Sequence, residues 1–344
     1  MKEILKLPTV KKAILYEPLK EGKVRCGLCE RRCIILPGKR GFCKTRLNIE
    51  GRLYTLVYGD ISAMESRPIE IKPFFHFYPG SSALTISTWS CNFKCPWCQN
   101  WHLSYKTPEP DKAKYISPKD MVKEAINHKD KGLCISFQEP TLLFEYTLDG
   151  FKLAKEKNLY NTYVSNGYMT LDALRMLKQA GMDAINIDIK GDERAYYDYL
   201  GKAKEEIIWR NARVAKDMGM HVEMIHLMVT GINDDEIKIK KLIKKHLKVL
   251  GPETPLHFTK YFPAYHYLSP STSTDILEFA YKEAKREGIY YPYVGNIPGH
   301  SFENTYCPYC GTLLLERVGY RITKWGLRDK TCPNCKREIQ IIYR

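Results

Sequence analysis

The chain has 344 residues, 44% of them apolar and 27% charged, and a formal net charge of +15. That length and composition can bury one large core or a medium core with small satellites, and they exclude the low-complexity and disordered classes. The opening segment alternates apolar and charged residues too often for a signal peptide, and no stretch reaches the roughly 20 apolar residues of a membrane span, so a cytoplasmic protein without membrane contact is expected.

Twelve cysteines fall in tight groups along this long chain, which reads as metal ligation and not as a disulfide framework. Cys134 stands apart in the apolar run 133–137, where it reads as a small buried strand residue. The charge is as uneven as the cysteines. Residues 1–46 hold 13 Lys and Arg against 4 Asp and Glu, and residues 307–344 hold 8 against 3, so the 260 residues between them are nearly neutral.

In chain order the sequence divides into a four-cysteine metal module (1–50), a connector rich in Gly, Pro and aromatics (51–82), an α/β region (83–303) and a C-terminal cysteine module (304–344). Within 83–303, short apolar runs alternate with longer helical patterns, the signature of repeated βα units around a parallel sheet. Six to seven units fit, with strands expected at 84–88, 133–137, 161–164, 184–189, 221–229, 256–259 and 290–294. One helix is punctuated by Ser117 as N-cap, Pro118 in the first turn and Asp120 at N3; others start near Thr170, Lys204, Asp234 and Ser273. The lysine-rich stretch 238–248 reads as an amphipathic helix with a solvated face.

Cys91, Cys95 and Cys98 lie directly after the first expected strand, in the spacing C-x-x-x-C-x-x-C. Three thiolates, not four, are the informative feature. Structural zinc sites and electron-transfer clusters close every metal position with protein ligands, whereas three thiolates on a cubane leave one iron open. Their place after a strand of a βα series also suits a barrel enzyme, whose active site gathers at the C-terminal strand ends. A zinc site completed by His102 is the alternative.

This spacing, with aromatic Trp97 before the last cysteine, resembles the signature of the radical S-adenosylmethionine (SAM) superfamily. The resemblance implies a partial (β/α)6 TIM-like barrel flanked by small cysteine-rich metal modules, and a [4Fe-4S] cluster whose open iron is chelated by the methionyl amine and carboxylate of SAM. One electron, from a donor such as ferredoxin or flavodoxin, then cleaves SAM to methionine and a 5′-deoxyadenosyl radical. The resemblance extends to other strand ends. Glu139 matches an acidic position that accepts hydrogen bonds from the methionyl amine. Ser165 and Asn166 are similar to the Thr-Asn-Gly turn of pyruvate formate-lyase activating enzymes, although Val164 replaces that family's usual acid. Asp188 and Lys190 resemble its Asp-x-Lys, with Lys190 reaching the methionyl carboxylate, and His257 matches a histidine that borders the adenosine. A structural ion pair for Asp188 and Lys190, and a core role for His257, are the competing readings.

The C-terminal group, Cys307-x-x-Cys310 and Cys332-x-x-Cys335, has zinc-ribbon spacing around an expected hairpin at 313–315 and 320–323, and is expected to fold on one zinc without help from the barrel. The N-terminal group, Cys26, Cys29, Cys33 and Cys43, supplies four thiolates whose spacing admits structural zinc, the first reading, or an auxiliary [4Fe-4S] cluster. Over nearly the whole chain the arrangement, with Tyr293-Val294-Gly295-Asn296 and Asn304-Thr305-Tyr306-Cys307, resembles the radical SAM protein of the AmmeMemoRadiSam system. An oxidoreductase acting on a protein or peptide partner is therefore expected, with a strict glycyl-radical enzyme activase as one alternative and a zinc-stabilised nucleic-acid-binding or RNA-modifying protein as the other. The basic end modules are candidates for docking an acidic macromolecule.

Overall fold

The computed structural model describes residues 3–343. The chain forms two compact units: one runs to Arg67 and resumes over Ser82–Ile185, and the other joins Pro68–Ser81 to the chain from Asn186 onward.

The first unit begins with small antiparallel pieces. Tyr16–Pro18, Val24–Cys26 and Ile34–Ile35 form one three-stranded sheet, and Lys11–Lys12, Arg52–Thr55 and Arg46–Ile49 form another. The Ile49↔Arg52 register leaves Glu50 and Gly51 as a two-residue turn, with φ of 50° and 80°, the geometry that matches right-twisted strands. The expected boundary at residue 50 thus falls inside a hairpin, which ties the start of the connector to the cysteine module.

Three parallel strands follow in the same unit: β1 (Ser82–Ser87), β2 (Gly132–Ile135) and β3 (Tyr160–Ser165), with β2 between the other two. Every residue of β2, Cys134 included, is buried, as a strand covered on both faces requires. Gly132 is fixed by packing, because a Cβ there would stand 2.0 Å from the Tyr160 ring. Helix α1 (Pro118–Asn127) lies between β1 and β2 in the chain, α2 (Phe144–Glu156) between β2 and β3, and α3 (Leu171–Gln179) follows β3. Ser117 caps α1 by accepting from the Asp120 N–H at 3.1 Å, and Thr170 caps α3 through Ala173 N–H at 3.2 Å.

β4 (Ala184–Ile189) carries the chain from one unit into the other. In the second unit β5 (His221–Met228), β6 (Leu256–Lys260) and β7 (Pro292–Gly295) are again parallel, registered through Met224↔Leu256 and Leu256↔Pro292. Helices α4 (Glu205–Asp217), α5 (Glu236–Leu250) and α6 (Thr274–Glu287) complete this βα series. The lysine-rich α5 buries Ile239, Leu242, Ile243 and Leu250 and leaves its lysines outward. All seven expected strands are present, their ends displaced by at most two residues. Among the described residues no helix is long and apolar enough to cross a membrane.

The C-terminal module forms a hairpin of β8 (Leu313–Val318) and β9 (Arg321–Trp325), close to the expected one. It packs against the rest of its unit. Leu314, Leu315, Cys307, Cys332 and Ile339 share a core with Phe75, Tyr291 and Tyr293 of the same unit. Arg317, 1% exposed, donates to the carbonyls of Glu303 (3.2 Å) and Phe75 (2.9 Å). Cutting the module away would expose that apolar face and strand a buried guanidinium.

Candidate active site and metal centres

The loop after β1 carries Cys91, Cys95 and Cys98. Ser90 takes a left-handed φ of 70° and is tied to the short helix Trp101–Ser104 through Ser90 N–H donating to Leu103 O at 2.9 Å. Two further turns follow, Cys98 N–H to Cys95 O (3.2 Å) and Trp101 N–H to Cys98 O (3.3 Å), so Cys95 and Cys98 open consecutive tight turns. Phe93 N–H donates to Cys91 Sγ at 3.3 Å, the type of bond that favours a thiolate or a cluster sulfur. Trp97 is 1% exposed and anchors the loop by packing. Burial pushes the Cys91 thiol well above its usual range, and nearby Glu139 adds to the shift, so a thiolate there needs a cationic centre.

Glu139 is the hub of this unit's strand ends. It is 2% exposed, with Oε1 accepting from Thr141 N–H (3.1 Å) and Ser165 Oγ–H (2.8 Å), and Oε2 from Asn166 N–H (2.9 Å). Burial raises its carboxyl above the ordinary carboxylate range while hydrogen bonds from Thr141, Asn166 and Ser165 oppose the shift. Asn166 reaches back to the cysteine loop, its Nδ2 standing 2.7 Å from Asn92 Oδ1 and 3.8 Å from Cys91 Sγ. Glu139, Ser165, Asn166 and Cys91 thus belong to one connected group. Phe137, two residues before Glu139, has φ of 73°, costly for an aromatic residue, and Asn100 Nδ2 donates to its carbonyl at 2.7 Å.

In the second unit, Asp188 and Lys190 lie two residues apart on and just beyond β4, and Lys190 Nζ donates to Asp188 Oδ2 at 2.5 Å. Asp188 Oδ1 is buried without a hydrogen-bond partner. His257 lies among buried partners. It is the second residue of β6, its Nε2 meets Glu223 Oε2 at 2.7 Å, and its ring stacks on Tyr293 at 5.0 Å. Glu223 is also met by His221 Nε2 (2.9 Å) and by the N–H groups of Phe75 and His76. Burial opposes the Glu223 charge, yet the bonds from His221 and His257 hold its carboxyl below the usual range. These partners favour a packing role for His257. Glu223 escaped sequence reasoning; its one available signal was the alternation of His221 and Glu223 on one strand face.

The two cysteine quartets differ in spread. In the C-terminal set all four Sγ atoms lie within 4.8 Å of one another, with Cys307–Cys335 and Cys310–Cys332 each at 3.6 Å. Tetrahedral zinc at a Zn–S distance near 2.3 Å requires sulfurs about 3.8 Å apart, so the set fits a single ion. Among the described residues no other three His, Cys, Asp or Glu ligand atoms converge so closely. Cys26, Cys29, Cys33 and Cys43 instead line a cavity.

A parallel α/β chain with an open three-cysteine loop behind its first strand, joined to a buried glutamate at the next strand end, defines a class of iron–sulfur enzyme. Comparison with known proteins agrees: the Radical SAM superfamily pattern matches residues 85–243. An uncharacterised protein of Methanocaldococcus jannaschii is 38% identical over 336 residues, which cover 97% of this chain and 100% of that one. Pyruvate formate-lyase-activating enzyme of Streptococcus mutans is 26% identical over 170 residues, 45% of this chain and 63% of that enzyme. The crystal structure of a radical SAM methyltransferase from Sphaerobacter thermophilus shares the fold, with a TM-score of 0.51 and 12% identity over 91% of this chain and 84% of that one. The chain belongs to the radical SAM superfamily, and membership implies an iron–sulfur cluster and SAM.

Proposed function

We propose that this enzyme holds a [4Fe-4S] cluster on Cys91, Cys95 and Cys98 and uses it to cleave SAM reductively, generating a 5′-deoxyadenosyl radical that abstracts hydrogen from a protein or peptide. The observation that carries this reading is the hydrogen-bonded group linking Cys91 to Glu139 through Asn166, with three cysteines and no fourth on the loop. When bound, the cluster supplies one electron to SAM; the donor is proposed to be a ferredoxin or flavodoxin. The chain's own residues bind and orient. Glu139, pushed up by burial, gains from a cationic neighbour, which suits the methionyl amine. Ser165 and Asn166 fix its carboxylate, while Trp97 holds the loop. For Asp188 and Lys190 a part in binding SAM is proposed on the resemblance alone.

The C-terminal quartet is proposed to hold structural zinc. A protein substrate is favoured over nucleic acid because the activating enzyme among the relatives has a name that refers to another enzyme. The test is anaerobic incubation with SAM and dithionite. 5′-Deoxyadenosine should form in the wild type, absent from Cys95→Ala, and its rate should rise with the true partner. Equal formation in both proteins would remove the cluster from the account.

A further inference from the structure

Four thiolates in the N-terminal module invite a zinc assignment, but the spread of their sulfurs speaks against it. Cys26, Cys29, Cys33 and Cys43 belong to one compact unit, and the backbone joins them closely: Cys26 N–H donates to Cys33 O at 2.9 Å, and Arg32 N–H to Cys29 O at 3.0 Å. Even so, no three of their sulfurs lie within 4.8 Å of one another, whereas the C-terminal quartet closes to zinc dimensions. The four cysteines line one pocket together with Arg31, Phe42, Arg46 and Asn92. A single zinc ion at 2.3 Å from each of four sulfurs needs them about 3.8 Å apart, and no three of these converge so closely. Gly41 lines the same cavity, and a Cβ there would reach to 3.8 Å from Cys33 Sγ and 3.0 Å from Ile35.

One wall carries an unspent donor. Tyr168 N–H donates to Asn166 Oδ1 at 3.0 Å, so the Asn166 amide presents its Nδ2 to Asn92 Oδ1 at 2.7 Å. That chain of bonds fixes the orientation of Asn92 and leaves its Nδ2, in a fully buried residue, without an acceptor. A buried N–H without an acceptor is costly, and a sulfide or thiolate in the cavity would satisfy it. Arg31 secures this wall, since its Nε donates to Asn92 O at 2.8 Å and its guanidinium lies 4.2 Å from the Phe42 ring centroid.

We propose that Cys26, Cys29, Cys33 and Cys43 hold a second, closed [4Fe-4S] cluster and that Asn92 donates a hydrogen bond to one of its sulfurs. Four thiolates leave no iron open, so this cluster carries electrons or structure and does not bind SAM. Cys91, Cys95 and Cys98 are likewise too spread for a single ion; that parallel rests on the proposed function, while the spread of the N-terminal sulfurs and the unsatisfied Asn92 amide do not.

The test uses the full chain with Cys91, Cys95 and Cys98 all replaced by alanine, purified anaerobically from iron-supplemented cells. It should retain about four irons and about four sulfides per chain, and give on reduction a cluster resonance that SAM leaves unmoved. Zinc in place of iron, or no metal at the N-terminal site, overturns the proposal whatever becomes of SAM cleavage. In the otherwise wild-type chain, Cys26→Ala with Cys29→Ala should lose the SAM-insensitive resonance and keep the SAM-responsive one; retention of both also overturns it. Asn92→Ala, made in the triple-alanine background, should keep the iron and shift the cluster to a more negative potential, because the lost hydrogen bond had stabilised the reduced form. An unmoved potential removes Asn92 from the site.

Discussion

The two cysteine quartets have the same ligand count and opposite packing. At the C-terminus, two CxxC turns face each other across a hairpin, and their sulfurs pair at 3.6 Å. At the N-terminus, short antiparallel strands carry the ligands on separate turns, and arginines and an asparagine share the wall of the space between them. Ligand identity fixes which metals are chemically possible, but the distance between backbone turns selects among them. Four thiolates therefore do not name a metal until the turns that carry them have been placed.

The largest effect expected is at the open site. Cys91→Ala, Cys95→Ala or Cys98→Ala should each abolish reductive SAM cleavage, measured as 5′-deoxyadenosine, while the zinc content stays unchanged. A variant that retains full cleavage would show that the triad is not the catalytic set. Next comes the C-terminal quartet, where Cys310→Ser should release zinc and leave both iron and sulfide intact. Because this module shares a core with Phe75, Tyr291 and Tyr293, the loss should also lower the unfolding midpoint of the full chain. A drop in iron would break the separation drawn between the two quartets.

A smaller change is expected at Glu139. Glu139→Gln should keep the iron content and weaken SAM binding by roughly tenfold to a hundredfold, the equivalent of about 1.5 to 3 kcal/mol for a charge-assisted hydrogen bond. Unchanged SAM titrations would make it a structural cap for the turn at Pro140–Leu143, a role its bond to Thr141 N–H already serves.

The fold was legible because periodicity and capping are local. Ser117 caps the helix it was expected to cap, helices start at the expected Thr170 and Ser273, and the lysine-rich helix faces inward through Ile239 and Ile243 as its spacing implied. The cysteine loop and Glu139 were legible because each stands at the end of a strand. The long-range partnerships were hidden. Nothing in the order of residues brings Arg46 to Glu145, 99 positions apart and 2.7 Å distant in space, or Phe75 and His76 to Glu223. The surroundings of His257 were hidden for the same reason: its partner lies on another strand, in a register that only pairing reveals.

The smallest effect concerns pH. Burial holds His76 down to about 3 and His246 down to about 4, so both are neutral in the folded chain at neutral pH. Each takes up a proton on unfolding once the pH is below the unfolded value near 6.5, so their contribution to stability is full above that value and declines as pH falls toward 4 and 3. The thermal midpoint should therefore fall between pH 7 and pH 5, and less steeply in His246→Gln. Identical slopes in the two proteins would show that His246 does not contribute.

The most direct measurement is the electron paramagnetic resonance spectrum of the anaerobic, dithionite-reduced wild-type protein with and without SAM. An open iron on Cys91, Cys95 and Cys98 and a closed cluster on the N-terminal quartet require two resonances, of which one changes when SAM binds and the other does not. A reduced, iron-loaded protein in which SAM changes neither resonance would contradict the account.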